Sequence, residues 1–171
     1  MMVDRPVYYN SITFNVAAVP DAGMSQSPYY WLRITDADGL FGDEVRTETH
    51  PIPCDIGERH GNVLRSGKQI VLTGEVYGLN AARLQDGVWA LQGAFWDLQE
   101  HKLEWEPWTF VVNGTATDKL YWMAYVNQPL VITDVIDGMS HHMRKWTVGL
   151  RADNPRSRKS SDDTVYPTFQ S

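Results

Sequence analysis

The sequence is short of the groups from which most catalytic and metal centres are built. Its 171 residues hold one cysteine, Cys54, and five histidines. A single thiol cannot close an internal disulfide, so a cross-linked secreted framework is excluded. No Cys-x-x-Cys pair, His-Glu-x-x-His helix, glycine-rich phosphate loop or Ser-x-x-Lys motif occurs. No apolar run approaches the ~20 residues needed to cross a bilayer. Residues 1–6 have no apolar stretch of the signal-peptide kind. A soluble chain made in the cytoplasm, without membrane insertion, is therefore expected. Positive charge is also scarce: 15 Lys and Arg stand against 21 Asp and Glu, a formal net charge of −6. A sequence-independent DNA binder needs a basic surface to displace counterions. The acidic balance argues against that class, but it suits a surface past which DNA slides without sticking.

The only crowding of His, Cys and carboxylates runs from Thr49 to His60. Structural zinc needs four ligands, or three and a water, at defined spacings. His50, Cys54 and His60 are the three candidates, but Pro51 and Pro53 make the segment irregular, and a polar surface arm is expected with no metal or cofactor. A Cys–His nucleophile needs a lowered thiol pKa, a base and an oxyanion hole. Nothing around Cys54 resembles a nucleophile elbow or a helix N-terminus. His141 and His142 follow Asp137-Gly138 and read as an exposed turn. Asn113-Gly114-Thr115 matches a glycosylation sequon but reads as a turn. Arg156, Arg158 and Lys159 read as part of a solvated linker. Carboxylates are scattered, so no pair suggests glycoside hydrolysis. The expectation is that the chain is not an enzyme.

What the sequence does have is aromatic and β-patterned residues. Hydrophobic residues make up 43% and aromatics 12%, with seven Trp. Trp and Tyr serve both cores and half-wet subunit contacts. Period-2 alternation predicts strands over Tyr8–Val16, Tyr29–Thr35, Gln69–Tyr77, Trp108–Val112, Leu120–Val126, Leu130–Ile136 and Lys145–Ala152. Gly74 falls on the apolar face of its strand, where it marks a bulge or a close approach by another element. Leu84, Val88, Leu91, Phe95 and Leu98 form one helical stripe. Asn80 is the expected N-cap, and Leu79 with Leu84 the expected staple. His101 and Lys102 suit the negative pole at the helix end. Gly87 and Gly93 imply that this helix presses closely on a sheet. Between Asp36 and Gly67 apolar periodicity fades and Gly, Pro and Asp accumulate, as in a long arm. Asp153–Ser171 reads as a C-terminal linker or arm. The fold class predicted is α+β and mainly β: an antiparallel β-sandwich or split barrel flanked by one helix (about Ala81 to Glu100), with an extended arm (about Asp36 to Gly67). Residues 1–152 would form one domain.

Three segments in order carry a family resemblance: Glu58-Arg59-His60-Gly61-Asn62-Val63, Gly67 to Val76 leading into the helix, and Lys145 to Arg156. Together they resemble the N-terminal region of distal tail proteins of long, flexible-tailed phages, particularly those infecting actinobacteria. The likeness spans roughly Asn15 to Arg156. It implies a β-sandwich with one flanking helix, related to tail-tube proteins. It further implies a virion protein of the tail tip or baseplate, forming a hexameric ring between the tail tube and the tail-tip hub proteins, with DNA crossing the lumen. Longer members continue into a carbohydrate-binding-like domain that this sequence does not include, so direct host binding is not expected. On the arm, Glu58, Arg59, His60, Asn62 and Arg65 are the candidate subunit-interface residues. The alternative is a small carbohydrate-binding β-sandwich, with Trp105, Trp108 and Trp122 as its aromatic platform.

Overall fold

The computed structural model describes residues 5–15, 30–40, 45–51, 58–65, 67–107, 110–134 and 142–166. Every strand pairing is antiparallel. One large sheet carries the body, in the order β2 (Ile12–Phe14), β1 (Val7–Tyr9), β7 (His101–Trp105), β10 (Leu120–Asp134), β11 (Met143–Ala152), β6 (Lys68–Gly78) and β3 (Tyr30–Asp38). Helix α1 (Ala81–Trp96) packs on β6 and β3 and touches β2 and β10. The predicted class, mainly β with one helix, is the one observed, and the sheet is not closed into a barrel.

Strand β10 makes the architecture. Leu120–Ala124 pair with β7, whereas Tyr125–Asp134 pair with β11. The sequence pattern suggested two strands separated by Pro129, but they form one. Pro129 sits where the ladder shifts register between Gln128 and Val131, a place that requires no donor from it. Each half-sheet presents an apolar face to the same core: Val7, Tyr9, Leu103, Trp122 and Ala124 from one, Ile34, Ile70, Leu72, Val76, Val148 and Leu150 from the other. At the open side, Asn15 links the outermost strands. Its backbone N–H donates to the Leu32 carbonyl at 3.0 Å, and its Oδ1 accepts from the Ile34 N–H at 2.8 Å.

The centre of the core is aromatic. Trp146 is 1% exposed and lies with ring centroids 5.4 Å from Phe14 and 6.0 Å from Phe95; Tyr9 stacks on Phe95 at 5.2 Å. Trp146 faces Gly74 in register, and a Cβ at Gly74 would run into its indole ring and the Arg33 carbonyl. The glycine is a close approach, as its place on an apolar face implied. Gly87 has the same cause: a Cβ there would lie 2.7 Å from Val76 Cγ2. Gly93 does not, because nothing lies within 4 Å of its Cβ position.

Several boundaries differ from the sequence pattern, each for a local reason. Tyr8–Val16 is a hairpin rather than one strand over its described part. Asn10 (φ 41°) and Ser11 (φ 69°) both adopt the left-handed conformation of a two-residue turn. Asn10 Nδ2 also donates to the Ala94 carbonyl at 2.8 Å, which satisfies a carbonyl in the last helical turn. Asn80 caps the helix as predicted, accepting from the Arg83 N–H at 3.0 Å, but Leu79 remains exposed and closes no staple. The helix ends at Trp96, not Glu100. The Asp97 carboxylate accepts from the Gln99 N–H at 2.9 Å and lies 3.0 Å from His101 Nε2, a local turn that competes with further helix. The Gln99 amide, then His101, hold the Asp97 carboxyl below its usual range. Leu98 is thereby exposed, and His101 and Lys102 belong to β7. Asn113 (φ 50°) and Gly114 (φ 79°) turn β8 (Val111–Val112) into β9 (Thr115–Ala116), as the Asn-Gly signal required; Trp108 lies outside the described residues.

The arm starts later than its composition suggested. β3 continues through Asp38, and Ala37 and Leu40 are buried. Beyond it, β4 (Val45–Pro51) and β5 (Glu58–Arg65) form a separate two-stranded ladder. The segment after Asp153, expected as a linker, lies on the body. β12 (Ser157–Lys159) pairs with Leu120 and Tyr121, and β13 (Val165–Tyr166) pairs with β12. Polar bonds hold it there: Tyr121 Oη donates to Asp163 at 2.5 Å, and Ser160 Oγ donates to Glu104 at 2.8 Å. Hydropathy cannot register such anchoring.

Two measurements check this packing. Gly74→Ala should cost about 1–3 kcal/mol in urea unfolding through overpacking against Trp146, whereas Gly93→Ala should stabilise by about 0.5–1 kcal/mol through helix propensity. Burial, reinforced by the carboxylates of Glu106 and Glu75, pushes the hydroxyls of Tyr8 and Tyr77 up to about 12; burial, with Asp97, does the same for Tyr9. The folded state favours the neutral phenol, so this stabilisation is full below pH 10 and is lost as pH rises towards 12. Absorbance titration at alkaline pH should show a delayed tyrosine fraction near pH 12 in the folded protein that merges with the rest on denaturation.

Candidate interaction surface

The five candidate interface residues fall on one strand of the arm. In the β4–β5 register Glu58 faces Pro51, Arg59 faces His50, His60 faces Thr49 and Arg65 faces Val45; Asn62 lies at the register shift between Thr47 and Thr49. His50 and His60 are thus on paired strands, while Cys54 lies outside the described residues. Among the described residues no three His, Cys, Asp or Glu side chains gather as a metal site would require. His142 lies in the turn before β11, its carbonyl accepting from the Gly78 N–H at 2.9 Å, and His141 is outside the described residues.

Two of the three tryptophans expected as the aromatic platform of a carbohydrate-binding module, Trp105 and Trp122, do not form an exposed surface, and the third, Trp108, lies outside the described residues. Trp122 is buried and donates its Nε1–H to the Pro155 carbonyl at 3.2 Å. Trp105 is half-buried against the core. Both lie on the inward face of the sheet because their strands alternate that way.

The exposed aromatics are elsewhere. Trp89 is 61% exposed and Trp96 85% exposed. They are seven residues apart on α1, which aligns them on one side about 10 Å apart along the axis. Gly93 lies between them, and the intervening side chains from Gly87 to Trp96 carry no charge. The sequence held the signal: both positions fall off the stripe of Leu84, Leu91 and Phe95. Attention to the buried stripe alone missed them. Beside this face lies an open groove of about 870 Å³, lined by Phe95, Trp96, Leu98, Val126, Leu130 and Ile132 among others. Exposed apolar area of this extent marks interaction sites more often than ordinary surface.

Four other rings lie beside the protein's own lysines. Lys119 Nζ lies 3.7 Å from the Tyr8 ring centre, Lys102 4.3 Å from Tyr121, Lys68 5.1 Å from Trp122 and Lys159 5.5 Å from Phe110. Near Tyr8 a buried cluster adds Glu106, which accepts from Tyr8 Oη at 2.6 Å and pairs with Arg5 at 3.3 Å. These contacts lie within the fold and belong to its architecture.

Comparison with solved structures now bears on this geometry. The SPP1 Dit protein, a hub adsorption apparatus of phages infecting Gram-positive hosts, aligns with 89% of this chain at a TM-score of 0.59 and 8% identity. The chain has the fold of a phage tail-hub protein. It spans 51% of the length of that Dit chain. The tube-terminating cap of the anti-feeding prophage covers 84% of this chain at a TM-score of 0.43 and 16% identity, and a chain of the sheath–tube complex of an extracellular contractile injection system covers 91% at 0.45 and 14% identity. No protein-family model matches the sequence, and neither does any curated protein. The tail-hub fold leaves the Trp89–Trp96 face as the large apolar feature that its own core does not use.

Because that face contributes nothing to the core, Trp89→Ala and Trp96→Ala should shift unfolding free energy by no more than about 0.5 kcal/mol. Both indoles should account for most of the acrylamide-quenchable tryptophan emission, and that fraction should fall in the double variant.

Proposed function

We propose that this chain is a structural component of a phage tail, forming a hexameric ring at the junction of the tail tube and the tail-tip hub, with DNA crossing the lumen. The observation that carries the reading is the tail-hub fold, aligned over most of the chain with SPP1 Dit. Three features agree with it. The β4–β5 arm leaves the body as its own ladder, and an isolated two-stranded ladder is marginal in water, so the arm gains from a neighbour. Heterologous contacts that close by rotation generate rings. The net charge of −6 suits a lumen that does not hold DNA. In this reading Glu58, Arg59, His60, Asn62 and Arg65 meet the neighbouring subunit, the partners are tail-tube and hub proteins, and the protein acts in the virion through assembly rather than catalysis.

Light scattering and electron microscopy of the purified chain test the ring. Six copies of the 19.5 kDa chain should give a particle of about 117 kDa with sixfold views. A monomer at all concentrations, with no ring in micrographs, would refute the reading.

A further inference from the structure

Helix α1 turns two large flat rings to its outer side, Trp89 at 61% and Trp96 at 85% exposure. Seven residues apart, they stand on one line about 10 Å apart along the axis. Gln92 and Gly93 fall between them, one on each side of that line, and both are exposed. A glycine in a helix interior weakens it relative to alanine. Among the described residues nothing lies within 4 Å of the Gly93 Cβ position, so this glycine serves no packing inside the fold. Its effect is to keep the strip between the two indoles low. The surroundings are neutral. Gly87 to Trp96 carries no charge, and the described residues lining the adjoining groove of about 870 Å³ are all uncharged. Two of those residues, Gln92 and Asn127, bring carboxamides, each both donor and acceptor. The Asn127 amide is held in place by reciprocal bonds with Gln69 at 2.6 and 3.0 Å.

From the two outward indoles, the glycine between them and the neutral, amide-bearing groove beside them, we propose that this face of α1 binds a neutral oligosaccharide, a straight β-linked chain of pyranose sugars. Size decides against a protein occupant. Two indoles present on the order of 400 Å² of apolar surface, about half of the roughly 800 Å² per partner in a standard protein interface. Phe95 and Val126 in the groove are themselves buried and add depth rather than area. Charge decides against a phosphate, an ammonium or an acidic peptide, because the face offers no group of either sign to meet one. A pyranose with equatorial hydroxyls fits what is there. Its axial C–H bonds form a flat apolar face of slight positive charge, which suits the negative face of an indole. Its rim of hydroxyls needs donors and acceptors, and the carboxamides of Gln92 and Asn127 are both. Few polar groups beside aromatic surface is the usual make-up of a small-ligand site. Two rings in line call for a chain that presents a flat face repeatedly along a straight course. A β-1,4-linked chain does so, whereas an α-1,4-linked chain coils away. The proposal is independent of the ring: the ring concerns how copies meet, and this site concerns what the exposed face of the helix holds.

Tryptophan fluorescence and isothermal titration of the full-length chain test the site. The probes are cellohexaose and chitohexaose, with maltohexaose as the coiled comparison, and light scattering on the same samples records the state of assembly. A straight hexaose should give a saturable change in indole emission, and maltohexaose should give none. Trp89→Ala and Trp96→Ala should each raise the dissociation constant roughly tenfold. Gly93→Leu, which fills the strip between the rings, should do the same with helix content by circular dichroism unchanged. No saturable change with either straight hexaose would overturn the inference. So would binding that survives in Trp89→Ala/Trp96→Ala, or an equal response to maltohexaose. If the wild type assembles and the double tryptophan variant is monomeric, the indoles belong to a contact between copies, and this inference falls while the ring reading stands. A wild type that stays monomeric and binds a straight hexaose through both indoles would uphold the inference and refute the ring.

Discussion

The indole of Trp146 occupies the space that Gly74 leaves on the neighbouring strand, and the rest of the body is arranged around that contact. A side chain at position 74 would push the ring away from Phe14 and Phe95. Phe14 comes from the N-terminal hairpin, Phe95 from the helix, and Trp146 from β11, so one cluster holds three elements that are far apart in the chain. Close-packed aromatic surfaces of this kind bury large apolar areas and tolerate little change in volume. The helix sits where it does because Gly87 lets it approach Val76 and Tyr30. Its outward side is then fixed as well, and it carries Trp89 and Trp96.

A body organised in this way is joined where its halves share β10. The core draws on both half-sheets, and the seam between β2 and β3 is crossed by the hydrogen bonds of Asn15 rather than by a full ladder. The strands β4 and β5 pair with each other, and Trp89 and Trp96 of α1 stay outside the core.

Much of this was legible in the residues. The strands β3, β6 and β11 alternate cleanly because one face of each is buried, and the stripe of Leu84, Leu91 and Phe95 marks the buried side of α1. The Asn-Gly turn and the Asn80 cap are local chemistry and were read as such. The misread boundaries share a different cause. Asn10-Ser11 lacks glycine, so the hairpin it makes was hidden within an alternating pattern. β12 and β13 dock through hydroxyls and carboxylates, which apolar periodicity does not see. The five positions on β5 were placed by family resemblance, and the register puts them side by side on one strand without deciding what they touch. The platform of Trp105 and Trp122 was misjudged because a tryptophan's exposure depends on which way its strand faces the core.

The linear order of residues by itself determined the class of fold, the place of the single helix, the existence of an arm and the poverty of catalytic groups, because each depends on short-range periodicity or on composition. Only the tertiary structure decided that β10 serves two half-sheets, that Gly74 exists for Trp146 and Gly93 for nothing nearby, and that two tryptophans face outward while another is enclosed. Those outcomes depend on which distant segments share a face, and a packed core sets that jointly across the whole chain rather than at any one position.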